Sequence, residues 1–468
     1  MRSLILQLHN DLKENKITKF DLYKKYFALC KSVDSTNSMI TYIEHESSEF
    51  SSPTNNLLDG IPYVLKDNID VANYPTTSGS QFLSDYISPY SATVYHLLHK
   101  QGATLIGKTN LDEFGMGGTG CSGLNGYVKN LHNLDFTTGG SSSGSVNLVG
   151  AKMIPFSLGT DTGDSVRRPS SFCNSVGFKP TYGLISRYGV SSYMPSLDTV
   201  GVITTSVCDA AIVCDSIFGF DKNDFTSQNS EIKNIYQNLK PIHKIRIGIF
   251  KNIEQYLDKD VKERYLSLLN ILKKYNHELV ELNINDDTLQ LIGITYRIVS
   301  YHVGSSCWSN LTGVHFGKKE NGDTFEDIAT KSRSKYIAFE AKKRFVFYKY
   351  ITNGDNYERL FAKVDKVRRH LSDYWINELK KVDCLLFMGA CCTAPSYQDV
   401  IDGKSKSTYN DDLQILANFS GSPSITIPCG FINKMPIGIN INCLPFADQQ
   451  LLNIALTLEE IIDKEFAC

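Results

Sequence analysis

The stretch Ser157-Leu-Gly-Thr-Asp-Thr-Gly-Asp-Ser-Val-Arg-Arg-Pro169 constrains this chain more than any other. It follows a short apolar strand candidate, Met153-Ile-Pro-Phe156, and brings glycine, threonine and aspartate together in a tight turn, so that backbone N–H groups converge on one point. Ser165 stands where the turn ends. Converging amides suit acyl transfer, because they hold the negative oxygen of a tetrahedral intermediate where little water competes. An ordinary Gly-rich strand-to-helix loop or a phosphate cradle is built from the same residue types. The Gly-Lys-Ser/Thr ending of a phosphate loop is absent here, which leaves a plain connector and a nucleophile turn as the alternatives.

Two upstream stretches bear on that choice. One is Thr138-Gly-Gly-Ser-Ser-Ser-Gly-Ser145, which by composition alone reads as a flexible linker but is short and deeply embedded. The other is Asp59-Gly-Ile-Pro-Tyr-Val-Leu-Lys-Asp-Asn-Ile69, where Lys66 closes a strand-like apolar run from Ile61 to Leu65. A lysine in that position is ordinarily a snorkelling surface residue. A serine nucleophile nevertheless needs a base, and none of the ten histidines lies in a motif that would aim it at Ser165. A desolvated lysine has its pKa lowered and can accept the proton.

Taken together, Lys66, the Gly-Gly-Ser-Ser run and Gly-Thr-Asp-Thr-Gly-x-Ser-x-Arg resemble the amidase signature family, and the similarity extends over nearly the whole chain. The resemblance implies a Ser–cis-Ser–Lys set with Lys66 as base, Ser141 as bridging serine after a cis Gly140–Ser141 peptide, and Ser165 as the acylated nucleophile. It further implies an oxyanion hole made by the backbone N–H groups of Thr162, Gly163, Asp164 and Ser165. Two later stretches, Val176-Gly-Phe-Lys-Pro-Thr-Tyr-Gly-Leu-Ile-Ser-Arg-Tyr-Gly189 and Ser196-Leu-Asp-Thr-Val-Gly201, narrow the resemblance to the branch that supplies glutaminase subunits to tRNA-dependent amidotransferases.

That branch implies hydrolysis of glutamine, with ammonia passed to a B-type kinase/transamidase partner. The partner activates Glu-tRNA(Gln) with ATP and Mg²⁺ and converts it to Gln-tRNA(Gln), and a small C-type subunit completes a heterotrimer. This chain itself is expected to hold no cofactor and no metal. A pocket for a zwitterionic amino acid should offer one acid and one guanidinium. By resemblance Arg344 clamps the carboxylate, Asp411 takes the ammonium, and Tyr296 and the Met116–Gly118 loop, including Gly117, line the pocket. Asp164 and Ser143 depart from the family, which usually has glycine at both places. A carboxylate pointing into the site would oppose an oxyanion, so Asp164 is expected to turn towards Arg167 or Arg168. Two rivals stay open: a free-standing hydrolase of fatty or aryl amides, which calls for a greasy channel without the Arg344–Asp411 pair, and an inactive assembly subunit.

With 468 residues, 42% of them hydrophobic, the chain can bury a large core. Its formal net charge of -2 is not the basic footprint of a chain that grips nucleic acid by itself, so tRNA is expected to bind through a partner. Twelve cysteines, from Cys30 to Cys468, form no Cys-x-x-Cys pair or zinc spacing and read as reduced packing residues, including the adjacent Cys391 and Cys392. Asp112 and Glu113 invite a metal reading, but adjacent carboxylates on a helix diverge and no third ligand follows. The first residues lack the apolar run of a signal peptide, and no stretch is long enough to span a membrane. A cytoplasmic enzyme is expected, with the mitochondrial matrix as the other compartment open to it.

The fold class expected is α/β, one large domain over 51–468 with a mixed central sheet covered by helices on both faces. Ahead of it, 1–50 forms a helical segment, read as two helices up to about residue 45 that act as a lid or subunit contact. A helical, basic region at 285–380 within the large domain would carry substrate specificity. Strands are expected at Ile61–Leu65, Thr104–Gly107, Ile245–Phe250, Glu278–Ile284, Cys384–Met388, Ser424–Pro428 and Ile437–Ile441, with helices at Ala92–Lys100, Asp260–Tyr275 and Asp448–Lys464.

Overall fold

In the computed structural model of the protein, which describes residues 2–50, 52 and 54–466, the apolar runs assemble into one eleven-stranded sheet. In chain order the strands are β1 (Met39–Tyr42), β2 (Pro62–Lys66), β3 (Thr104–Thr109), a separate two-stranded ribbon β4 (Lys129–Asn130) and β5 (Asn133–Thr137), then β6 (Phe156–Asp161), β7 (Val176–Lys179) and β8 (Thr199–Thr204). They continue with β9 (Arg246–Phe250), β10 (Glu278–Leu282), β11 (Cys384–Met388), β12 (Ser424–Ile432) and β13 (Met435–Asn442). The order across the large sheet is β1-β3-β2-β6-β8-β7-β12-β13-β11-β9-β10. It is mixed: β3, β2 and β6 run parallel, as do β11, β9 and β10, while the strands between them pair antiparallel. Every residue of β2, β6, β8 and β13 is buried, because helices cover both faces of the sheet.

Strand β11 shows how the sheet divides the interior. Its side chains alternate: Cys384, Leu386 and Met388 join one large hydrophobic core, and Leu385 and Phe387 join another. The first core includes the helices Leu4–Lys13 and Lys19–Ser32, which bury Ile5, Leu8, Leu12, Leu22 and Tyr26 in it. The apolar stripes of these helices are spent on the core, and Asp209 holds the start of the first through Ser3, Leu4 and Ile5. The second core lies under the helices Asp286–Cys307 and Lys363–Leu379, whose fully buried Trp375 stands 6.2 Å from Phe250 and 6.4 Å from Phe387 between ring centroids.

Three expectations need correction. Residues 39–42, placed in a helical segment, form edge strand β1, which pairs with β3. The strand before Ser165 begins at Phe156 and runs to Asp161, so Ser157–Asp161 belongs to a central strand and the turn starts at Thr162. Pairing on both sides, with β2 and β8, carries the strand through Gly159 and Asp161, residues of low β propensity. Finally, the helical region at 285–380 is broken between Cys307 and Phe325. Truncating Trp375→Ala is expected to destabilise the protein by about 3–5 kcal/mol, the usual cost of deleting a buried aromatic ring. The check is a lowered urea midpoint.

Candidate active site

Strands β2 and β6 are parallel neighbours, so their carboxyl ends open on the same edge of the sheet, and the site is built there. Lys66 is the last residue of β2 and is fully buried. Its Nζ lies 2.8 Å from Ser141 Oγ, 3.0 Å from Ser142 Oγ, 2.8 Å from Thr160 Oγ1 and 3.2 Å from the Thr160 carbonyl. Burial pushes the Lys66 amine down to about 7, against the opposing fields of Asp112, Asp161 and Asp198. The Gly140–Ser141 peptide is cis. The Ser142 N–H donates to the Ser165 carbonyl at 3.2 Å, which seats Ser165 directly against the serine run. The structure thus brings Lys66, Ser141 and Ser165 into one cluster.

A buried ion pair shapes the turn between β6 and the helix Arg167–Cys173. Arg167 meets Asp161 through Nη2–Oδ1 at 2.8 Å and Nε–Oδ2 at 3.1 Å, with neither side chain exposed. Burial alone would raise the Asp161 carboxyl, but Arg167, the Val166 N–H and Asn418 hold it at about 2. Arg167 Nη2 also donates to the Gly163 carbonyl at 2.7 Å, and the Arg167 and Arg168 N–H groups donate to the Asp164 carbonyl at 2.9 and 3.0 Å. In a trans peptide the next N–H points opposite the carbonyl. The N–H groups of Asp164 and Ser165 are therefore turned away from Arg167. The Asp164 carboxylate pairs with Arg168 Nε at 2.7 Å. Ser143, the other departure, opens the helix Ser143–Gly150 and is wholly buried, donating to the Asn110 carbonyl at 3.3 Å. Thr162 donates to Asp198 at 2.6 Å.

Above this turn lies a cavity of about 200 Å³ walled by Gly117, Gly163, Asp164, Tyr296, Arg344 and Asp411. Tyr296 packs so closely on the turn that a Cβ on Gly163 would come within 2.9 Å of its ring. Arg344 projects from the helix Phe339–Ile351 over Tyr193 and Tyr301, and its Nη1 is buried without a partner. Asp411 is oriented by two backbone donors, Cys391 N–H at 2.8 Å and Thr408 N–H at 2.9 Å. Met116 departs from expectation: its side chain joins the second hydrophobic core, and Gly117 and Gly118 line the cavity in its place.

Sequence reasoning missed Asp412, Arg297, Tyr193 and Arg168 as walls of the cavity. Only Asp412 carried a signal, its adjacency to Asp411. Burial first, then Asp411, raises the Asp412 carboxyl to about 6. Asp112 and Glu113 do diverge, and each has a structural role. Asp112 accepts the Gly120 and Ser122 amides, and Glu113 accepts Ser80 and the Ala338 amide. Among the described residues no group of three or more His, Cys, Asp or Glu side chains is placed to hold a metal ion, and no helix is long and apolar enough to cross a membrane. The eleven described cysteines are free thiols, and Cys468 lies outside the described residues.

A buried lysine against two serines, beneath a turn of converging amides on a mixed α/β sheet, defines a serine-dependent amide hydrolase scaffold. The chain belongs to the amidase signature family: the Amidase family profile matches residues 31–452. It is 41% identical to the A subunit of glutamyl-tRNA(Gln) amidotransferase from Mycoplasma genitalium, over 99% of each chain, and 33% identical to the protein of that description from Clostridium novyi, over 98% and 96%. Among solved structures it resembles the glutamyl-tRNA(Gln) amidotransferase A subunit from Thermotoga maritima, with a TM-score of 0.77 and 30% identity over 96% of this chain and 94% of that one. A bacterial aryl acylamidase shares the fold at a TM-score of 0.84 and 21% identity, over 98% and 96%.

The geometry can be checked by titration and by denaturation. Lysine side chains labelled with ¹³C should include two that titrate near pH 7, Lys66 and the equally buried Lys179, which desolvation also pushes down to about 7. Lys66→Met should delete one of these two transitions. Arg167→Ala, which leaves Asp161 charged and unpaired, is expected to cost about 3–5 kcal/mol in chemical denaturation.

Proposed function

We propose that this chain is the glutaminase subunit of a glutamyl-tRNA(Gln) amidotransferase, releasing from glutamine the ammonia that a partner uses to convert Glu-tRNA(Gln) to Gln-tRNA(Gln). The observation that carries the substrate assignment is the cavity over the Ser165 turn. It sets an unpaired guanidinium N–H of Arg344 and the Asp411 carboxylate around a small polar space, the charge pattern that an α-amino acid complements. The relatives of the same description at 33–41% identity support the tRNA-dependent role.

In this reading Ser165 Oγ attacks the side-chain amide carbon. Its proton passes to Ser141 while Ser141 gives its own to the neutral Lys66 amine, 2.8 Å away. The amides of Asp164 and Ser165, turned away from Arg167, receive the oxyanion with help from Thr162 and Gly163. The relay then protonates the departing nitrogen and ammonia leaves. Water resolves the glutamyl ester by the same route, and glutamate is released. Tyr296, packed on Gly163, and Gly117 form walls against which the substrate lies.

ATP and Mg²⁺ belong to a B-type partner that activates Glu-tRNA(Gln), and a small C-type subunit completes the assembly. The reaction belongs in the cytoplasm, where the free thiols stay reduced. The polar walls speak against a hydrolase of greasy amides. The intact Lys66–Ser141 contact and the turning of Asp164 to Arg168 speak against an inactive subunit.

The test is glutamine-dependent ammonia release and Gln-tRNA(Gln) formation by the chain assembled with its partners. Ser165→Ala should lower ammonia release by more than about 1,000-fold. Arg344→Ala should raise KM for glutamine about 10- to 100-fold, the scale of one charge-assisted hydrogen bond, with a smaller change in kcat. Lys66 acts only when neutral and its amine sits near 7, so kcat/KM should fall about tenfold per pH unit below that value and level off above it. A wild-type assembly that releases no ammonia from glutamine overturns the proposal.

A further inference from the structure

Glu113 lies in the strap Asp112–Gly118, which runs between the serine cluster and the cavity. It is almost wholly buried, yet makes no contact with the relay. Its carboxylate instead takes two donors from distant parts of the chain: Ser80 Oγ at 2.5 Å on Oε1 and the Ala338 N–H at 2.8 Å on Oε2. Ala338 is the N-cap of the helix Phe339–Ile351 and has no side chain to cap it. Glu113 therefore accepts from across the fold the N-cap N–H that a glutamate at the third helical position, here Ala341, would accept locally, at the end of the helix where the dipole favours an anion. Arg344 projects from the second turn of that helix.

The residues on either side of Glu113 are anchored as firmly. The Asp112 N–H donates to the Ser141 carbonyl at 3.2 Å, and the Asp112 carboxylate gathers the Gly120 and Ser122 amides. Phe114, in the left-handed region at φ 56°, stacks on Trp308 with centroids 4.5 Å apart. Trp308 ends the helix that carries Tyr296. Three successive residues thus tie the bridging serine, the Arg344 helix and the Tyr296 helix to one turn, and Gly117 and Gly118, at the end of the same strap, form a wall of the cavity.

We propose that Glu113 is a positioning residue for substrate recognition: by holding the Ala338 amide it sets the register of the Arg344 guanidinium over the cavity, at a fixed distance from the Ser141 cluster. This rests on the assignment of glutamine as substrate. The test is a double-mutant cycle on the full chain assembled with its partners, reading kcat and KM for glutamine separately. Glu113→Ala should raise KM about tenfold with kcat changed less than about threefold, and in an Arg344→Ala background the same change should add less than about twofold to KM. Glu113→Gln, whose amide oxygen can still accept the Ala338 N–H, should return KM to within about threefold of the unmodified chain. Glu113→Asp keeps the charge but loses the reach of one methylene, and should raise KM as alanine does. It serves as the informative variant if alanine prevents folding.

Equal losses in kcat and KM effects that multiply with Arg344→Ala would mark a general structural role and overturn the inference. So would an unchanged KM in Glu113→Ala and Glu113→Asp. Both outcomes leave glutamine hydrolysis by the unmodified chain intact. An unmodified assembly inert towards glutamine would instead overturn the proposed function, and this inference with it.

Discussion

The Asp161–Arg167 pair is the interaction on which the site depends. Taking two charges out of water costs several kcal/mol each, and the cost is offset only if both are fully hydrogen-bonded. Both are: beyond the pair itself, Arg167 reaches the carbonyls of Gly163 and Gln414 and the side chains of Asn418 and Ser424, while Asp161 also takes the Val166 N–H and Asn418. Because one guanidinium closes the chain between the end of β6 and the following helix, residues 162–166 have little freedom left. The peptide planes on either side of Asp164 face their carbonyls towards Arg167, and the N–H groups must face the other way. Two amides turned away from the arginine are thus a by-product of satisfying it in a buried site.

The same logic explains how a lysine can have a lowered pKa beside three carboxylates. Asp112, Asp161 and Asp198 all raise the Lys66 pKa, yet burial prevails and leaves it near 7. Each carboxylate already has its own donors. Asp161 has Arg167, Asp112 has the amides of Gly120 and Ser122, and Asp198 has Thr162, Ser192 and the amides of Tyr193 and Met194. A carboxylate so occupied has much of its field neutralised locally, and none of them forms an ion pair with the amine. Were one of the three to lose its donors, its uncompensated charge would favour the ammonium form of Lys66.

The local chemistry was legible in the sequence, and the long-range geometry was not. Lys66 at a strand end, the serine run and Ser165 after a glycine turn are short-range patterns, and the Asp164–Arg168 contact is an i,i+4 pair. Sequence could not decide between Arg167 and Arg168 as the partner of Asp164. The answer turns on Asp161, six residues before Arg167 in a segment read as turn. That misreading has a physical source: β6 lies buried between two strands, so it can be written with glycine, serine and threonine, and its strand character comes from its neighbours. Four-residue β1 fails as a pattern for the opposite reason, being too short to show alternation beside a helix of similar composition. The roles of Asp112 and Glu113 were invisible because their donors, Ser122 and Ala338 among them, lie up to 225 residues away.

The two hydrophobic cores give this division a functional meaning. The Lys66–Ser141 cluster sits at the edge of the sheet, over the first core, whereas Arg344 and Tyr296 are carried by helices packed on the second. Contacts that join the two at the site include Tyr296 on Gly163 and Arg167 with Gln414 and Asn418. The hydrogen bonds of the cluster over the first core do not depend on the surface of the second set of helices that faces the cavity. The reverse does not hold. A shift in the turn between β6 and its helix would move Gly163 and Asp164, and with them the wall of the cavity, so the shape of the cavity is tied to the hydrogen bonds of the turn.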